Sequence, residues 1–214
     1  MSVGIIIPTY NHFEYVHLAV ESASRTPGAT ILIIDDASPK WPGERVVRGF
    51  LSGHVPYVIQ RYDGNAGLSR SWNTGLRICR GLGLAFAVCG NSDLVFPRGW
   101  WQPLEAALAR AEFVGPVTNA PGDVKHQDVS KYLATYTLSD DPDDIDETAA
   151  KLREAGLPEV SRGRLNGFCF AGKTETFFDV AEDGQPFNES IPMAGNETDF
   201  FKRASAKSHR AAVV

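Results

Sequence analysis

Leu84-Ala85-Phe86-Ala87-Val88-Cys89-Gly90-Asn91-Ser92-Asp93 passes from an unbroken apolar segment straight into a polar turn. Residues 84–89 read as a buried strand. Asn91-Ser92-Asp93 then stands where that strand leaves its sheet. In open α/β sheets, ligands bind beyond the carboxyl ends of the strands. A carboxylate placed there can hold a hard divalent cation, and the cation can hold a diphosphate. Asn-Ser-Asp is equally good turn chemistry, so its meaning depends on what stands around it.

The surroundings alternate. Upstream, Val3 to Pro8 is a continuous apolar strand, and Phe13 to Ser24 has helical spacing. Thr30 to Ile34 is a second buried strand, residues 42–51 suit a short helix, and Tyr57 to Arg61 is a third strand. Leu68 to Arg80 carries Leu68, Trp72, Leu76 and Cys79 on one helical stripe. Downstream, residues 100–111 read as helix and residues 113–117 as strand. Strands alternating with helices of this size imply βαβ units, a mostly parallel sheet and helices on both faces. After Val117 the alternation weakens; a helix is expected around residues 147–155. The pattern resumes with the strand-like 167–171 and a last helix from Asn196 to about Lys207, and Ala211 to Val214 looks like part of a further strand. The fold class is α/β, a single domain in two halves, residues 1–117 and 118–214.

With 214 residues the chain can bury one substantial core. No apolar run approaches the ~20 residues of a membrane span, and the N-terminus lacks the basic region of a signal peptide. Cys79, Cys89 and Cys169 are odd in number and lack metal-site spacing, which points to buried free thiols in a reducing, cytoplasmic setting. The net charge is −5, yet the run from Ser139 to Glu147 alone holds six acids and no base, leaving the rest near +1. A clustered basic face for nucleic acid is therefore not indicated. The acidic run itself suits a solvated loop feeding a helix N-terminus.

Four more stretches carry candidate chemistry. Pro8-Thr9-Tyr10-Asn11 follows the first strand; Pro lacks an N–H and should end the ladder, and a base could stack on Tyr10. Asp35-Asp36 follows the second strand, where an acid can bind a ribose hydroxyl or base N–H or close an Asx turn. Asn65-Ala66-Gly67 opens the helix that carries Arg70 and Asn73. Its N-terminus favours an anion, and Arg70 could reach a phosphate, though a capped helix with a solvent-facing Arg explains the same residues. Asn196-Glu197-Thr198-Asp199 opens the last helix, with Asn196 as a cap and the acids suited to the dipole; alternatively one acid is a general base. Trp100 and Trp101 suit either a sugar platform or core packing.

Taken in order, these segments resemble the inverting family 2 glycosyltransferases of the GT-A fold, over nearly the whole chain. The resemblance rests on Pro8-Thr9-Tyr10-Asn11, Asp35-Asp36-Ala37-Ser38, Asn65-Ala66-Gly67 with Asn73 and Gly75, Asn91-Ser92-Asp93, and Glu197 to Arg203. It implies a Rossmann-like nucleotide-binding half and a nucleoside-diphosphate sugar donor. It also implies Mn²⁺ or Mg²⁺ on Asp93, and Glu197 as base with Asp199 beside it. Pro8, Thr9, Tyr10, Asn11, Asp35, Asp36, Asn65, Gly67, Arg70, Asn73, Asn91 and Ser92 would line the donor. Asn91 and Asn196 stand where the family often has acids. The acceptor is open: glycan, lipid-linked saccharide, protein or modified nucleic acid. A degenerate binding module and a sugar nucleotidyltransferase are the competing readings; the latter wants a Gly-rich basic loop that Pro8-Thr9-Tyr10-Asn11-His12 does not supply.

Overall fold

The computed structural model describes residues 2–136, 139, 141–156 and 163–214. Asp140 of the acidic run and part of the irregular stretch before Gly163 lie outside the described residues. Seven strands form one sheet: β1 (Val3–Thr9), β2 (Ala29–Asp35), β3 (Tyr57–Arg61), β4 (Phe86–Gly90), β5 (Phe113–Gly115), β6 (Cys169–Lys173) and β7 (Ala211–Val213). Their order is β3-β2-β1-β4-β6-β5-β7. The first four are mutually parallel. β6 runs antiparallel to both β4 and β5, and β5 pairs parallel with β7.

Among the described residues seven α-helices connect them: α1 (Phe13–Ser24), α2 (Glu44–Arg48), α3 (Leu68–Gly81), α4 (Trp101–Ala107), α5 (Pro142–Ala155), α6 (Thr174–Asp179) and α7 (Asn196–Ala206). Side chains alternate across a strand, so each strand feeds two cores. Ile5 and Ile7 pack with α1, Val47 of α2 and the aromatic start of α4. Ile6 packs on the other face with α3, α6 and α7. That second core is largely aromatic: Phe187 stacks on Phe200 at 4.8 Å, and Trp72 meets Phe170 edge-on at 5.6 Å.

Four sequence expectations need correction. Pro8 does not end β1; it pairs opposite Ile34, and the strand runs to Thr9. This is tolerated because the ladder with β4 has already stopped at Ile6 opposite Cys89, leaving Pro8 with a neighbour on one side only. α5 starts at Pro142, ahead of residue 147, because Asp141 accepts from the Asp143 amide at 2.8 Å and Pro142 occupies the first turn. α6, with Thr174 and Phe177 buried, was not expected. Asn196 is not the cap of α7; Gly195 is, at φ 92°, and Asn196 is the first helical residue.

Candidate active site

The carboxyl ends of β1, β2 and β4 and the N-terminal tips of α3 and α7 share one edge of the molecule. At the β1 exit Thr9 is buried, and Tyr10 is 47% exposed. Asn11 and His12 both adopt positive φ, 59° and 54°, and Ala37 in the next loop sits at 60°. Non-glycine residues pay strain in that region, and this strain is concentrated where β1 and β2 leave the sheet. A side-chain relay holds the two loops together. Asp35, fully buried, accepts from Ser38 through both its amide and its hydroxyl, and from Arg61 Nε at 2.9 Å. Ser38 Oγ in turn accepts from the Asn11 amide at 2.8 Å, and Asn11 Oδ1 accepts from the Lys40 amide at 3.1 Å. Arg61 lies over the Trp41 ring at 5.5 Å.

Asp36 performs a similar service for the loop before α3. Its two oxygens accept from the amides of Ala66 (2.7 Å) and Gly67 (2.8 Å), and its carbonyl accepts from Asn65 Nδ2 at 3.3 Å. Gly67 needs its φ of +88°, and a Cβ there would stand 2.5 Å from the Pro192 carbonyl. That same carbonyl takes the Leu68 amide at 2.7 Å and the Ser69 amide at 3.4 Å, while Ser69 Oγ donates to Ile191. The Gly67, Leu68 and Ser69 amides at the start of α3 are thus bound by protein acceptors. Arg70 is exposed, with its guanidinium 4.8 Å over Tyr62. Asn73 points inward: fully buried, it donates to Phe187 O (2.8 Å) and Glu189 (3.0 Å) and accepts from the Phe187 amide at 2.9 Å. It pins the segment after α6 to α3 and has no face toward the edge.

Asn91, Ser92 and Asp93 turn out of β4. Asn91 and Ser92 are half-buried and Asp93 is exposed, and Asp93 has no hydrogen bond or ion pair among the described residues. The Asn91 amide donates to Phe168 O at 2.8 Å. The residue before, Gly167, lies against Glu197: a Cβ on Gly167 would be 3.2 Å from the Glu197 Cδ. Through this Gly167-Phe168 seam, the turn after β4 and the tip of α7 are held side by side. Glu197 is half-buried and also lacks a partner among the described residues. Asp199, two residues on, is bound by Arg203 at 2.8 Å (Nη2) and 3.0 Å (Nε). Arg203 also donates to the carbonyls of Val180 and Pro186, at 2.7 and 2.8 Å. Asn196 is 1% exposed, and its Nδ2 has no partner among the described residues.

Sequence reasoning missed the residues that build this seam. Gln127, fully buried, accepts from the Asn166 amide at 2.6 Å and donates to Pro116 O at 2.7 Å. Asn166 Oδ1 accepts from the Phe168 amide at 3.2 Å, and Arg164 donates to both Thr198 and Asp123. The available signal was Asn166-Gly167 just before an apolar run. Trp100 and Trp101 resolve to core: they are 7% and 3% exposed, and Trp100 Nε1 donates to Thr26 at 2.8 Å. The thiols are buried and free, and burial pushes Cys79 and Cys169 up to about 12.

Among the described residues no three His, Cys, Asp or Glu side chains cluster as a metal cage. An exposed, unpaired carboxylate nonetheless suits Mg²⁺ or Mn²⁺, which are commonly held by one or two carboxylates with water and substrate phosphates completing the shell. No helix among the described residues is long and apolar enough to cross a membrane.

Comparison with known proteins gives a consistent picture. The profile of the family described as "Glycosyl transferase family 2" matches residues 4–156; α7 lies beyond the matched stretch. No curated protein matches by sequence. Among solved structures, S. aureus TarS 1-349 in complex with UDP-GlcNAc superposes with a TM-score of 0.66 at 13% identity, covering 100% of this chain and 56% of that one. GalNAc-T7 with UDP, GalNAc and Mn²⁺ superposes with a TM-score of 0.68 at 15% identity, over 100% of this chain and 41% of that one. The chain spans only 58% of TarS 1-349 and 35% of full TarS. At such identities the likeness shows the fold.

Proposed function

The chain belongs to glycosyl transferase family 2, and from that premise we propose that it moves a sugar from a nucleoside-diphosphate donor to an acceptor hydroxyl, with inversion at the anomeric carbon. The observation that carries the reading is that Asp93 after β4 and Glu197 at the tip of α7, both without a partner among the described residues, flank the Gly167-Phe168 seam, where the Asn91 amide meets Phe168 O and Gly167 packs on Glu197. The donor half is residues 1–117 and the acceptor half 118–214.

Tyr10, half-exposed beside the strained Asn11-His12 turn, offers its ring to the nucleobase. Asp35 and Asp36 shape this pocket from behind, by fixing the loops of β1, β2 and α3. Asp93 would hold a divalent cation, Mn²⁺ or Mg²⁺, which when bound neutralises charge on the departing diphosphate. Glu197 takes the proton from the acceptor hydroxyl as that oxygen forms its bond to the anomeric carbon and the bond to the diphosphate oxygen breaks. Attack from the face opposite the leaving group inverts the centre, through an oxocarbenium-like transition state of the kind seen in glycoside hydrolysis. Among the described residues Glu197 has no basic partner, which leaves its oxygens free for a proton. Arg203 holds Asp199 away from that task.

Titration calorimetry of a panel of nucleoside diphosphates, with and without Mn²⁺, tests the reading. Metal-dependent binding by the native chain is expected, lost in Asp93→Ala at unchanged melting temperature. Metal-dependent affinity that survives Asp93→Ala would move the diphosphate elsewhere.

A further inference from the structure

A half-open cleft of about 670 Å³ lies between α4 and α5, and its lining joins it to the site above. Leu104 and Ala107 face it from α4; Ile145, Ala149 and Leu152 face it from α5; Asp93 stands on its wall. The α5 residues fall at i, i+4 and i+7, one apolar stripe of the helix. Such a stripe normally packs on a core. Here no residue of α5 is buried. Polar ties bind the helix to the Arg98 loop: Asp146 accepts from the Arg98 amide at 2.6 Å and pairs with the Arg98 guanidinium at 3.2 Å, and Arg153 donates to Arg98 O at 3.2 Å. The space is of the size used for small-molecule sites, which are mostly apolar with a few polar groups to orient the ligand. The lining is mostly apolar, with Arg110, Thr118, Asn119, Thr148 and Arg153 among its polar members, so its occupant is largely apolar.

We infer that this space is the acceptor subsite, and that the acceptor carries an apolar body, an alkyl chain or ring system, beneath the hydroxyl or sugar that receives the transferred group. The inference rests on the transferase reading and adds to it the acceptor's chemical class. Its geometry follows from the lining. Phe168 also borders the space, and its neighbour Gly167 is the residue packed on Glu197. An acceptor whose apolar body lies between α4 and α5 therefore presents its polar head at the Asp93 end, beside both carboxylates. A wholly polar glycan or a folded protein surface gains nothing from such a slot.

The test uses alkyl β-glucosides of butyl, hexyl and octyl chain length, below their micelle concentrations, titrated into the protein with saturating nucleoside diphosphate and Mn²⁺. Affinity should rise about fourfold per methylene while the chain still fits. Ala149→Trp, on the outer helix and away from the core, should fill the space and flatten the series while nucleoside diphosphate binding stays unchanged. Ile145→Asn, which makes the same wall polar, should flatten it as well. A flat series in the native protein that still binds nucleoside diphosphate would overturn the subsite. So would a chain-length dependence indifferent to both substitutions. A dependence that appears in a protein binding no nucleoside diphosphate would overturn the acceptor role, and would place the failure in the transferase reading.

Discussion

Asp36 commits both carboxylate oxygens to backbone amides, accepting from Ala66 at 2.7 Å and Gly67 at 2.8 Å. It is 6% exposed, and its loss leaves the buried Gly67 amide and the half-buried Ala66 amide without an acceptor. Hydrogen bonds to a charged group are worth roughly 1.5–3 kcal/mol each. Asp36→Ala is therefore expected to cost about 2–4 kcal/mol and lower the melting temperature by several degrees, read by thermal denaturation without ligand. A melting temperature within about a degree of the native value would mean that the carboxylate is not the clasp of this loop. From sequence, Asp35 and Asp36 were legible as important and as lying at the strand exit. Their role as clasps was not, because the amides that Asp36 binds lie about thirty residues further along the chain. Asn73 misled for the same reason: its partner Phe187 lies far along the chain, so nothing near Asn73 shows that its amide turns inward. Glu197 and Asp199 look alike in the sequence, and only Arg203, one turn further along α7, separates them.

At the scale of elements, the contact of α3 with β1 sets how closely the donor edge is drawn together. Gly75 faces Ile6, and a Cβ there would overlap the Ile6 side chain. Gly75→Ala gains up to about 1 kcal/mol of helix propensity. It also overpacks a rigid strand residue, at a cost of typically 1–3 kcal/mol, and the overlap is deep enough for the cost to win. A net loss of about 1–2 kcal/mol is expected in thermal or urea denaturation. Gly81→Ala, with nothing within 4 Å, is the control and should be neutral or stabilising. If Gly75→Ala matches that control, the helix is not seated as described. The elements that sequence reading placed well are those with an uninterrupted period: β1 to β4, α1 and α3. It missed α6, which is only six residues long and follows β6 without a loop. The start of α5 was missed because the acidic run read as a solvated loop feeding the helix, although Pro142 suits a first helical turn. The direction of β6 was not legible either, since strand pairing is a tertiary choice that the apolar run Cys169-Phe170-Ala171 leaves open.

At the scale of the molecule, the sheet order brings together what the chain keeps apart. β1 and β4 are neighbours, so the Tyr10 loop and the Asp93 turn emerge side by side. The Gly167-Phe168 seam leading into β6 then draws the tip of α7 against that turn. On the proposed reading, this convergence places Glu197, which has no partner among the described residues, as the base. The most direct measurement of that role is the rate of sugar transfer, or of donor hydrolysis where no acceptor is supplied, at saturating donor and Mn²⁺. Native chain, Glu197→Gln and Asp199→Asn are compared, each with its donor affinity and melting temperature. Glu197→Gln should keep affinity and stability while losing roughly 10²- to 10⁴-fold in rate, the span of general base catalysis. Asp199→Asn should melt lower, by weakening the hold of Arg203, and keep most of its rate. A Glu197→Gln chain that turns over at the native rate would contradict the account.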